Sequence, residues 1–115
     1  MVADKIYDLL PSDLPKVIGD ITELRVSAVG IMEYDSGVNA EYFGATLEQP
    51  VVKIVARATT YQEGQEWITV CRDAIHRYHD DFFLSIMQVG SSVYLGQNTE
   101  RMHEFQAVFN IQVKE

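Results

Sequence analysis

The stretch from Pro50 to Tyr78 constrains the fold more than any other, because a strand, a helix start and a helix body can all be read in it. Val51-Val-Lys-Ile-Val-Ala-Arg-Ala-Thr59 is dense in β-branched residues, follows a proline suited to opening a strand, and is too short and too branched for a good helix. It is expected as a central strand. Thr60-Tyr-Gln-Glu63 then has the spacing of a capping box, in which the threonine oxygen takes one orphan amide and the glutamate reaches back for another. A helix starts there. Trp67, Ile68, Cys71, Ala74, Ile75 and Tyr78 recur at the spacing of one helical face, while Glu66, Arg72, Asp73 and Arg77 fall elsewhere, so the stripe is expected to lie on a sheet. Trp67 is the largest group on it and the truncation expected to cost most, about 3 to 5 kcal/mol.

Gly64 falls on the same stripe. A glycine inside a helix costs about 1 kcal/mol against alanine, roughly what the cap returns, so tertiary packing must hold this helix. Two readings stand level: a glycine tolerated in the first turn, or a close approach to the strand face Val52, Ile54, Ala56 and Ala58, whose side chains shrink toward that end.

Elsewhere, Val2, Ile6, Leu9 and Leu10 mark a short amphipathic helix that Pro11 should end, and residues 14–21 read as a connection. Leu24 to Tyr34 partly alternates and meets turn chemistry at Asp35-Ser-Gly37, which makes it the first strand. Residues 38–49 hold Tyr42, Phe43 and Gly44 and are too aromatic for a plain linker; a long hairpin arm is expected, with the aromatics either tucked over their own sheet or at an interface. Phe82 to Val89 is strand-like and turns through Gly90-Ser-Ser92 into Val93-Tyr-Leu95. The clearest strand is the last, where Phe105, Ala107, Phe109, Ile111 and Val113 alternate with Glu104, Gln106, Val108, Asn110 and Gln112. The expected fold is therefore a single α+β domain over 1–115. It comprises a four-stranded, mostly antiparallel or mixed sheet packed by one long central helix and a short N-terminal helix.

At 115 residues such a domain buries about two thirds of its unfolded surface. The one cysteine, Cys71, reads as a small core residue. Met1-Val-Ala-Asp-Lys is acidic where a signal peptide wants basic residues, and no apolar run approaches membrane-spanning length, so a soluble, unexported protein is expected. The net charge of −8 is spread evenly along the chain without a basic patch, which disfavours direct nucleic-acid binding and adsorption to anionic membrane.

Signals for chemistry are sparse. His76 and His79, three apart and followed by Asp80, could share a metal with a third ligand such as His103, but histidines in a last helical turn are better explained by the carbonyl end of the dipole. No phosphate loop, nucleophile elbow or zincin motif is present, and no catalytic residue, cofactor or metal site is expected. Instead there is apolar surplus: Val51 and Val55 lie on the strand face opposite Val52 and Ile54. The N-terminal helix would cover most of it; if displaced, that face becomes an interface.

Pro50-Val-Val-Lys-Ile-Val-Ala-Arg57, followed by Tyr61 and a long helix, resembles the proline, hydrophobic strand and closing arginine of the tail terminator, or tail completion, proteins of long-tailed bacteriophages. These are also described as minor capsid or head–tail joining proteins. Val93-Tyr-Leu-Gly-Gln97 and Glu104-Phe-Gln-Ala-Val-Phe-Asn-Ile-Gln-Val113 resemble the last two strands of that family. Gly64 stands where its pattern leads one to expect alanine, and residues 38–49 have no string that aligns. The resemblance implies a non-enzymatic virion protein at the head–tail interface, present in the host cytoplasm during assembly. Its subunits would form a homo-hexameric ring, or stay monomeric until a tail end organises them. The ring would contact the tail tube and the head connector while DNA passes through an acidic lumen without sequence-specific binding. Tyr42, Phe43, Val51 and Val55 are the expected contact residues. Two other classes remain: a small α+β metal-dependent enzyme using His76, His79 and Asp80, and a cellular adaptor domain that binds a peptide at a sheet edge.

Overall fold

The β-branched run after Pro50 does form a strand with neighbours on both sides, and the helix capped by Thr60 lies across it. The structure, a computed structural model, describes residues 2–19, 27–34, 40–42, 45–47, 51–80, 83–97 and 101–113. In chain order the elements are α1 (Val2–Leu9), β1 (Lys16–Ile18), β2 (Ala28–Tyr34), β3 (Ala40–Tyr42), β4 (Ala45–Leu47), β5 (Val51–Ala58), α2 (Tyr61–Ile75), β6 (Phe83–Gln88), β7 (Val93–Gln97) and β8 (His103–Val113).

The main sheet runs β1-β2-β5-β8-β6, with β7 also on β8. It is mixed, because β1 runs parallel to β2 while every other pair is antiparallel. Among the described residues this makes six strands rather than the four expected. The two added strands are β7, which the expected count takes as part of the hairpin-like connection between the last two strands, and β1, which reads as connection because three residues between Pro15 and Gly19 are too few to show a period. Its ladder is continued by bonds from the Val29 amide to the Pro15 carbonyl and from the Gly19 amide to the Ile31 carbonyl. The α+β class and the pairing of a long and a short helix stand as expected.

Both helices lie on one face. Ala3 and Ile6 from the first helix and Leu10 just after it join Ile68, Cys71 and Ile75 from the second in a single core with Val29, Ile31, Val52, Ile54, Ala56, Phe105, Phe109 and Ile111. The expectation that α1 covers the Val51 and Val55 face is thereby corrected. The physical reason lies in the short link from α1 to β1, where Lys16 holds the end of the helix against the sheet edge while Ala3 and Ile6 share the core on the α2 side. α1 carries no basic residue in its last turn, and Lys16 of β1 supplies one: its Nζ donates to the carbonyls of Tyr7 and Leu10 at 2.8 Å each and sits 4.5 Å from the Tyr7 ring centre. A cation thus neutralises the carbonyl end of the helix.

At the start of α2, Thr60 Oγ1 accepts from the Glu63 amide at 3.2 Å, so the cap falls where the sequence puts it. The buried positions are Gly64, Ile68, Cys71 and Ile75, and Trp67, Ala74 and Tyr78 pack at the margin of the core. Trp67 is therefore half-buried rather than central, because the stripe is centred one position away from it. The Cys71 thiol, buried under the sheet, is pushed up from 9.0 to about 12 by desolvation and stays neutral.

The structure decides between the two readings of Gly64. A Cβ there would lie 2.9 Å from two ring carbons of Phe105 and 3.6 Å from the Ala58 Cβ. The ring has little room to yield, since Tyr61 and Tyr94 stand edge-on and tilted against it at 5.1 and 5.0 Å. Gly64→Ala would normally stabilise a helix by about 1 kcal/mol. Here overpacking of about 1 to 3 kcal/mol opposes that gain, and a net loss near 1 kcal/mol is expected in urea unfolding. A more stable variant would show that the ring moves aside freely.

Candidate assembly surface

The helix ends at Ile75, not at Tyr78, and this rearranges the histidine cluster. His76 is already extended (φ −64, ψ 125), Arg77 takes a left-handed φ of 66, and the Arg77 amide bonds to the Ile86 carbonyl. His76 Nδ1 accepts from the Gln88 amide at 3.1 Å, which ties the helix end to the close of β6. Asp80 Oδ1 accepts from the Phe83 amide at 2.7 Å, and its Oδ2 accepts from the Tyr78 hydroxyl at 2.9 Å. That bond, with some burial and the carboxylate charge, raises the Tyr78 phenol above its ordinary value. His103 belongs to another group, stacked on Tyr94, whose hydroxyl meets its Nδ1 at 2.8 Å. His76 Nδ1, both Asp80 oxygens and His103 Nδ1 are therefore engaged in bonds of the fold, and no group of three or more metal-ligating side chains occurs among the described residues.

The assembly residues named from sequence fall in two places. Tyr42 closes β3 in register with Ala45, and Phe43 lies outside the described residues, as do the side chains of residues 34–50. β3 and β4 form a two-stranded sheet apart from the main one, so an arm of hairpin form is present as expected. Its register sets positions Ala40, Tyr42, Ala45 and Leu47 on one face of the ribbon and Glu41 and Thr46 on the other.

Val51 and Val55 lie together on the sheet face away from the helices. Val51 is half-buried at the start of β5, whereas Val55 is only 6% exposed, in a small second cluster with Ala28 that Met32 flanks. Further along this face Arg57 is almost wholly buried. It stands directly opposite Glu104 on β8, with Nη2 3.7 Å from the Glu104 carboxylate. The closing arginine of the sequence motif is thus half of a cross-strand ion pair.

A surface that the sequence reading did not assign lies at the sheet edge. β6 pairs with Phe109–Val113 of β8 and β7 with His103–Gln106. Because β5 occupies the other side of β8, the two short strands follow one another along the same edge. Met87, Val89, Val93, Tyr94 and Leu95 are all exposed there, each by at least 40%. The signal was available in Val93-Tyr-Leu95, three consecutive large apolar residues without alternation, which no single buried face can accommodate. At the opposite edge β1 exposes Val17 and Ile18. No described helix is long and apolar enough to cross a membrane.

No protein-family model and no curated relative matches the chain. Among solved structures, its fold is similar to that of a chain in the virion of a native gene transfer agent particle, with a TM-score of 0.71 at 12% identity, covering 96% of this chain and 92% of that one.

Proposed function

We propose that this protein is a structural subunit of a phage-like virion, and more narrowly a tail terminator that closes the head-proximal end of a tail tube and joins it to the head connector. The observation that carries this reading is the near end-to-end likeness of fold to a virion component, over 96% of the chain. Three features support the narrower role. The hairpin arm has no place in the main sheet, the opposite edges of that sheet both expose apolar residues, and His76 and Asp80 are engaged in bonds of the fold. A closed ring needs a heterologous contact, one patch meeting a different patch on the next subunit, and an arm together with a remote surface supplies that geometry. The acidic balance suits a ring whose lumen passes DNA without holding it.

Electron microscopy and sedimentation of the protein, alone and with purified tail tubes, test the reading. Rings or capped tube ends are expected, and Tyr42→Ser with Phe43→Ser is expected to abolish them while leaving thermal unfolding nearly unchanged. A protein that stays monomeric and never decorates a tube end would count against the ring. The exposed β7 edge would then favour the adaptor reading, in which a foreign peptide adds to the sheet.

A further inference from the structure

The arm and the β6–β7 edge are both incomplete, each in the way that the other would repair. A two-stranded ribbon is marginal in water by itself, and this one carries Ala40, Tyr42, Ala45 and Leu47 on a single face by register. It does not join the main sheet. The long axis of the molecule is 50 Å against 25 and 22 Å for the others, and its radius of gyration of 14.6 Å exceeds the roughly 13 Å of a compact chain this long. The β6–β7 edge has the converse defect. Its outer backbone groups face no strand among the described residues, and five exposed apolar side chains line it with no lysine, proline or other charge to blunt it.

We propose that the β3–β4 ribbon of one copy docks on the β6–β7 edge of the next, extending the neighbour's sheet and laying its apolar face against Met87, Val89, Val93 and Leu95. The partner is a second copy of this chain, because the same sequence supplies a ribbon that stands outside the main sheet with apolar positions on one face, and an apolar edge with no strand beside it among the described residues. The contact is heterologous, so every copy both gives an arm and receives one. This rests on the self-assembly reading above and specifies where the arm lands, in place of the Val51 and Val55 face, of which Val55 is already buried within its own chain.

Two variants test it. Val93→Lys with Leu95→Lys charges the edge at exposed positions and should leave the melting temperature unchanged; Tyr42→Ser with Leu47→Ser removes the apolar face of the ribbon. Each should weaken self-association by about a hundredfold in sedimentation. Mixed together, the two variants should form a one-to-one pair and stop there, since one retains an arm and the other an edge. If the wild type associates and the charged-edge variant does so equally well, the landing place is wrong while the ring reading stands. If both variants fail alone and no pair forms on mixing, the contact is not arm to edge, and the proposal falls. A wild type that is monomeric with and without tail tubes overturns both readings.

Discussion

Phe109→Ala is expected to cost about 3 to 5 kcal/mol, a large share of the 5 to 15 kcal/mol typical of a whole domain, and to lower the melting temperature by about 15 °C. Phe109 is fully buried on β8, in register with Val52 of β5 on one side and Gln88 of β6 on the other. Its ring lies in the core that both neighbouring strands and the two helices share, so a cavity left there has few ways to collapse. Trp67→Ala removes a larger side chain from a half-buried position at the margin of the core and should cost less. Urea unfolding of the two variants side by side decides the matter. A greater loss from Trp67 would mean that the helix lies on the sheet in a different phase.

The second large effect is expected on the other face of the sheet. Glu104→Ala should destabilise the protein by about 3 kcal/mol, because it withdraws a counter-charge from a guanidinium that folding has already taken out of water. Glu104 is 16% exposed, which places the cost at the lower end of the range for breaking a buried pair. Replacing both partners with apolar residues, as Arg57→Met with Glu104→Leu, removes the desolvation cost along with the attraction and should restore most of the loss. A double-mutant cycle by urea unfolding measures the coupling directly. Additive single losses would show that Arg57 contributes through packing of its stem rather than through Glu104.

Local chemistry dictated more of this fold than its length of 115 residues would lead one to expect. The strand after Pro50, the Thr60 cap, the apolar stripe of α2, the alternation of β8 and the presence of a hairpin arm all follow from interactions between residues a few positions apart, which a sequence carries explicitly. Gly64 was legible as a question and not as an answer, since its meaning depends on a phenylalanine 41 positions further along the chain. The end of α2 was misplaced because His76 and Arg77 leave the helix for bonds to Gln88 and Ile86, partners that no local pattern reveals. Tertiary structure alone decided that β1 is a strand, that both helices share one face, that Val55 is buried, and that the apolar run of Val93 to Leu95 lies at an edge. A three-residue strand has no period of its own, and a valine on a sheet reads the same whether its face is covered or open. Which face a helix covers, and which edge stays unpaired, are fixed by strand order, and strand order is set by contacts across the whole chain.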